Sequence, residues 1–346
     1  MDPANPLGMR GLELIELAAH EPAPIARLLS NLGFSRTDRH REIAVDVYRQ
    51  HGLVFLLNGE RRSFGGDFAE RHGPCVSSMA WSFDDAEAAF AEAVRRGAKP
   101  FVPTSETPAT LRTPAIHGIG GSVIYFVNRF RERGGLFERT FVALDQPTRV
   151  DPKGFLAFDH LTNNVHRGEL GAVAAFYKDV FGFTEVRSFD IEGEKSGLYS
   201  YALRSPCGTF CIPINEDKGT KGQIAEYLAE YRGPGVQHIA FLTDDILASL
   251  DAMNDAVPTL DIDDDYYRDV FARVPNVRES PERIRARDVL VDGDERGYLL
   301  QIFTKNVVGP IFFELIQRRN HASFGEGNFG ALFRSIERDQ ERRGVL

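Results

Sequence analysis

Cysteine is scarce in this chain. The 346 residues hold three, Cys75, Cys207 and Cys211. So small, odd and unpatterned a set excludes a disulfide framework and fits reduced thiols packed as small apolar groups. A basic surplus is absent as well: 41 Lys and Arg against 50 Asp and Glu give a net charge of −9. That leaves no electrostatic footprint for nucleic acid. No apolar run is long enough for a membrane span; the longest candidate, residues 306–316, is interrupted by Pro310 and Glu314. The first residues, Met1-Asp2-Pro3-Ala4-Asn5-Pro6, lack a basic stretch followed by an apolar one. No secretory leader is therefore expected, and the cytoplasm is the expected location. The length predicts two domains with ample apolar material for both cores.

Against this background three short apolar segments stand out, almost evenly spaced. They are Ala157-Phe158-Asp159-His160-Leu161, Val236-Gln237-His238-Ile239-Ala240-Phe241 and Ile311-Phe312-Phe313-Glu314-Leu315-Ile316. Each carries one side chain able to bind a metal. An imidazole or carboxylate buried in an apolar strand without a partner costs several kcal/mol. Two His and one carboxylate brought together form the facial triad of non-haem Fe(II) oxygenases, which leaves coordination positions open. Mn(II) or Zn(II) fits the same ligands on chemistry alone. The bland reading of His160 or His238 is a core histidine satisfied by backbone; the three taken together favour the metal.

The chain also repeats itself. Leu12-Glu13-Leu14-Ile15-Glu16-Leu17 and the stretch ending Leu32-Gly33-Phe34 parallel Phe158-Asp159-His160-Leu161 and the stretch ending Phe181-Gly182-Phe183. The run from His72-Gly73-Pro74 to Ala80-Trp81 parallels that from Arg232-Gly233-Pro234 to Ala240-Phe241. Asp84-Asp85 and Asp244-Asp245 follow these runs as helix N-caps. Four βαβββ modules in two halves result, joined near residues 146–154, with domains at 1–149 and 150–346. In this register His160 pairs with Leu14, His238 with Ser78 and Glu314 with Tyr125. Only the second half keeps all three candidate ligands.

Other motifs are weaker. Gly325-Glu326-Gly327-Asn328-Phe329-Gly330 spells a dinucleotide fingerprint, but too few residues follow it for the second strand and acidic residue. A glycine turn entering a final helix, with apolar spacing at Phe329, Leu332, Phe333 and Ile336, is the better reading. Asp261-Ile262-Asp263-Asp264-Asp265 begins like a calcium loop but has Tyr266 and Ala272 where Gly and Glu are needed, so a solvated acidic loop is expected. His20, His40, His51, His72, His117, His166 and His321 sit in polar or turn-rich sequence, where surface or capping roles are the default.

The segments around His160, His238 and Glu314, with Leu300-Gln301-Ile302-Phe303, Gly309-Pro310 and Phe324-Gly325-Glu326-Gly327-Asn328-Phe329, resemble the 4-hydroxyphenylpyruvate dioxygenase family of the vicinal-oxygen-chelate superfamily. The resemblance covers nearly the whole chain and is densest over 155–346. It implies an α+β fold of two glyoxalase-like domains, each an open β-barrel of paired βαβββ modules with helices outside. It implies one Fe(II) per chain on His160, His238 and Glu314, an aromatic 2-oxo acid and O2 as partners, homogentisate and CO2 as products, and a homo-oligomer, dimer or tetramer. The role would lie in tyrosine and phenylalanine catabolism.

Family pocket positions fall on Ser200, Asn215, Gln223 and Gln301, read as catalytic, and on Pro213, Gln237, Phe303, Phe324, Asn328 and Phe329, read as substrate-binding. Strand alternation predicts that Gln237 points away from His238 and acts behind it. Pro213 is expected at a sheet edge or barrel mouth. The helix from Asn328 would act as a lid. The related 4-hydroxymandelate synthase hydroxylates the benzylic carbon of the same substrate, and Pro213 favours homogentisate. A silent small-molecule-binding member of the superfamily is the more remote reading, opposed by the intact triad.

Overall fold

The computed structural model describes residues 4–130, 132, 134–192, 197–219 and 222–344. Among these residues, no helix is long and apolar enough to cross a membrane. Two eight-stranded curled sheets carry the fold. The first holds β1 (Met9–Ala18), β2 (Ser35–His40), β3 (Val45–Gln50), β4 (Leu53–Asn58), β5 (Cys75–Phe83), β6 (Ala115–His117), β7 (Val123–Val127) and β8 (Phe141–Thr148). Their order is β6-β7-β5-β1-β4-β3-β2-β8. The second holds β9 (Phe155–Val165), β10 (Thr184–Glu192), β11 (Gly197–Arg204), β12 (Cys211–Asp217), β13 (Gly235–Thr243), β14 (Leu290–Asp294), β15 (Gly297–Phe303) and β16 (Phe312–Arg319). Their order is β10-β11-β12-β9-β13-β16-β15-β14.

The duplication is visible in the strand register. Leu14 lies opposite Ala80, which lies opposite Tyr125; His160 lies opposite Ala240, which lies opposite Glu314. The same offsets place Ser78 where His238 stands. The paired aspartates supply caps, Asp85 accepting from the Ala88 amide at 3.0 Å and Asp245 from Ala248 at 2.9 Å. The second quarter departs from the four-module reading. Among the described residues it has two strands after its helix, and β8 pairs with β2 at the opposite edge. Pro100, Pro103, Pro108 and Pro114 crowd the segment where the third strand would lie, and each removes a ladder donor.

The halves pack through aromatic rings on the outer faces of the ligand-bearing strands. Phe55 of β4 meets Phe158 at 5.3 Å and Phe313 at 6.3 Å between ring centroids, and Phe34 meets Phe241 at 5.8 Å. Because strand side chains alternate, Phe313 faces the first half while Glu314 faces the interior of the second. His72 joins this core rather than the surface: its ring stacks on Tyr231 at 4.6 Å and its Nδ1 lies 2.7 Å from the Tyr231 carbonyl.

Where the second half assembles ligands, the first holds a polar cluster. Glu16, fully buried, accepts from Ser78 Oγ at 2.6 Å, Asn58 Nδ2 at 2.7 Å and Thr110 Oγ1 at 3.0 Å. Burial raises its pKa above 4.5, against the opposing pull of these hydrogen bonds. A carboxyl raised in the folded state contributes stability fully below its unfolded value and loses it as pH rises through the folded one. Glu16→Gln should remove that loss, because its amide can donate to Ser78 Oγ. Thermal melts from mildly acidic to alkaline pH should show the variant gaining on the parent; a difference independent of pH would contradict this.

Candidate metal centre

β9, β13 and β16 are neighbours, and they bring His160, His238 and Glu314 to one point, with one ligand atom from each lying within 4.8 Å of the others. Glu314 Oε2 stands 3.0 Å from His160 Nε2 and 3.4 Å from His238 Nε2, and the two Nε2 atoms are 3.2 Å apart. Ala240, opposite both His160 and Glu314, leaves room for them to converge. Each imidazole is oriented from behind. His160 Nδ1 meets Asp159 Oδ2 at 2.8 Å and His238 Nδ1 meets Gln237 Oε1 at 3.2 Å. With Nδ1 donating, both Nε2 lone pairs and an anionic oxygen face one another in a buried site, which only a cation or shared protons can relieve.

The titration behaviour reflects this need. Burial disfavours a charged His160, yet Glu314 and Asp159 outweigh it and lift the imidazole to about 9. Burial lowers His238. Burial also works against the Glu314 carboxylate, but the two imidazoles hold it below the usual range. Two neutral-capable imidazoles and one carboxylate, each with its partner behind it, fit a divalent metal.

The cavity facing these residues is lined by Ser200, Pro213, Asn215, Gln223, Gln237, Gln301, Phe303, Phe324 and Phe329. Asn328 is the one sequence-derived pocket residue that does not line it; it lies fully buried at the N-terminus of the last helix, its Oδ1 accepting from Tyr266 at 2.6 Å. Gln237 departs from strict alternation. A register shift between Val236 and His238 turns its side chain into the cavity, where Nε2 donates to Gln223 Oε1 at 3.3 Å. Pro213 is not at an edge either. β12 lies between β11 and β9, and the pairing with β9 skips Ile212 and Pro213, so the missing donor breaks no ladder there.

Sequence reasoning overlooked Thr162, Phe189, Ile191, Leu198 and Phe312 as lining residues. Thr162, two residues past His160 on the same strand face, was accessible to alternation; its hydroxyl sits 3.0 Å from His238 Nε2. Ser200 and Asn215 are register partners, and the buried Gln301 Oε1 has no partner among the described residues. The cavity thus has a metal-ligand pole, polar amides and a hydroxyl, and aromatic walls.

The helix Phe329–Arg342 covers the cavity with Phe329, Leu332, Phe333 and Ile336. Its polar side is anchored at both edges. Gln340 Nε2 donates to Glu226 at 2.7 Å, Arg343 also pairs with Glu226, Arg342 pairs with Asp261 at 2.9 Å, and Ser335 donates to the Asp261 carbonyl at 2.7 Å. The acidic loop at Asp261 is therefore a fastening for this helix, not a free solvated segment.

A duplicated curled sheet with a His-His-Glu cluster at the heart of one copy defines a metal-site protein of the glyoxalase and dioxygenase class. The chain belongs to the 4-hydroxyphenylpyruvate dioxygenase family. Residues 4–142 match the family model described as hydroxyphenylpyruvate dioxygenase, N-terminal, and residues 157–272 the glyoxalase/bleomycin resistance protein/dioxygenase superfamily. Protein MelA of Shewanella colwelliana is 53% identical over 99% of both chains. The 4-hydroxyphenylpyruvate dioxygenase of a Pseudomonas species (strain P.J. 874) is 42% identical over 99% of this chain and 98% of its own. A mutant of 4-hydroxymandelate synthase from Streptomyces coelicolor matches with a TM-score of 0.80 at 26% identity, over 96% of this chain and 99% of its own.

Proposed function

We propose that this chain converts 4-hydroxyphenylpyruvate and O2 to homogentisate and CO2, with one Fe(II) held by His160, His238 and Glu314. The observation that carries the reading is the convergence of these three donors at one wall of a cavity whose other walls are aromatic rings and amides. Fe(II) held there would supply the redox chemistry, with electrons from the substrate's own decarboxylation.

The chain's residues do the rest. Phe303 and Phe329 stack against the ring. Ser200, Asn215, Gln223 and Gln301 hydrogen-bond its phenol and carboxylate ends, the Gln301 Oε1, which has no partner among the described residues, accepting from a donor the substrate brings. Gln237 orients His238, Pro213 shapes the wall, Asn328 seats the lid through Tyr266, and Phe324 with the helix Phe329–Arg342 excludes water.

The reading includes a division at 149/150, a cytoplasmic location and a homo-oligomeric state, dimer or tetramer, in tyrosine and phenylalanine breakdown. With Fe(II) and 4-hydroxyphenylpyruvate added, O2 uptake should match CO2 release mole for mole; absence of uptake would end the oxygenase reading. Benzylic hydroxylation to 4-hydroxymandelate is the second reading, favoured by the fold-level likeness to the synthase.

A further inference from the structure

Arg318 lies four residues beyond Glu314 on β16, on the same strand face, with a partly buried side chain that is not among the residues lining the cavity. Nε and Nη2 form a fork with the two Asp159 oxygens, both at 2.8 Å. Asp159 in turn holds His160 Nδ1 at 2.8 Å. The remaining nitrogen, Nη1, donates to the carbonyls of Ser323 at 2.5 Å and His321 at 3.3 Å, in the turn that follows β16. The next residue of that turn, Phe324, lies with its ring 5.8 Å from the Arg318 guanidinium carbon and 5.6 Å, edge to face, from His160.

These contacts close a circuit: His160, Asp159, Arg318, the turn, Phe324 and back to His160. An ion pair needed only for stability would be complete with the Asp159 fork. Here the third nitrogen instead ties the fork to the backbone that leads into the lid.

We infer that Arg318 is a positioning residue that couples the seating of the Phe324 turn to the orientation of His160 as a metal ligand. The inference rests on the metal-site reading above. It works through geometry. If the turn lifts, Arg318 loses two acceptors and the fork that aims Asp159 at His160 is freed to rotate. If a metal fixes His160, the circuit is fixed with it. Such coupling is reciprocal: metal must tighten the turn by the same factor by which the seated turn tightens metal. A partner behind a metal-binding imidazole is worth about 10–100-fold in metal affinity.

The test uses the full-length apo-protein and Co(II), titrated calorimetrically, with hydrogen exchange read over residues 321–328 with and without the metal. In the parent, Co(II) should slow exchange in that segment. Arg318→Gln should bind Co(II) about 10–100-fold more weakly, and saturating Co(II) should no longer protect the segment. Arg318→Lys keeps a cation beside Asp159 and should recover part of the affinity without the protection, because one ammonium cannot serve Asp159 and both carbonyls. Arg318→Gln leaves the Asp159 carboxylate without its cation, so Asp159→Asn with Arg318→Gln, which removes both charges, is compared with Asp159→Asn alone should the single variant fail to fold: the double variant should lose the Co(II) protection of the segment beyond what Asp159→Asn loses. Parent-like affinity and protection in these variants would overturn the coupling. Failure of the parent itself to bind Co(II) would overturn the metal-site reading, and the coupling with it.

Discussion

Glu314→Ala should lower turnover by well over about a hundredfold, the upper range for losing a group merely behind a ligand, while the protein stays folded. Among the described residues, the Glu314 carboxylate is the only anionic group that both imidazole Nε2 atoms approach, at 3.0 and 3.4 Å. Its removal leaves two neutral donors and shrinks the pull toward a cation. The fold survives because His160 can shed its charge. Glu314 is the largest influence raising that imidazole against burial, with Asp159 second, so its loss shifts the ring toward the neutral form, and any charge that stays is still paired with Asp159. Three measurements on one preparation check this: bound metal falls, the His160 ring titrates well below its parent value by NMR, and the melting transition remains cooperative. Near-normal turnover would remove Glu314 from the metal site.

Gly325→Ala should raise KM roughly five- to thirtyfold, the equivalent of about 1–2 kcal/mol of left-handed backbone cost in a non-glycine residue. Gly325 has a φ of +79°, and a Cβ placed on it would overlap the Oε1 of Gln301. Gln301 is fixed in β15 and buried, so the turn must rise or the amide must swing out of the cavity. Either outcome displaces a group that meets the substrate and loosens the lid. Gly73→Ala is the control. Its φ is +74° but nothing lies within 4 Å of the added Cβ, so it should cost stability and leave KM unchanged. Equal KM in parent and Gly325→Ala would show that the turn does not close on the substrate.

The metal cluster was legible because chemistry made it expensive. A His or Glu in an apolar strand needs a reason, and the internal repeat supplied Leu14, Ser78 and Tyr125 as a contrast at the register positions that the strands adopt. The fold class followed from the same repeat. Less was readable where local geometry breaks a rule. Alternation points Gln237 away from the cavity, but a register shift invisible in the sequence turns it in, where it still meets His238 Nδ1 at 3.2 Å. Pro213 reads as a residue of a sheet edge or barrel mouth; it lines the cavity from an inner strand, at a point where the ladder to β9 is already interrupted.

Long-range packing hides other roles. His72 has polar sequence neighbours and a stacked Tyr231 from the other half. Asp261 resembles solvent-facing acid and is paired with Arg342 of the lid helix. Phe312 belongs to a strand apolar on both faces, so periodicity cannot say which face meets the substrate, although the structure stacks its ring on His238 at 4.7 Å.

How the cavity aims the oxidant is the central claim, and product identity tests it most directly. Chromatography of the reaction mixture from Fe(II)-loaded protein, 4-hydroxyphenylpyruvate and O2 should yield homogentisate, formed in step with CO2. 4-Hydroxymandelate as the main product would contradict the account.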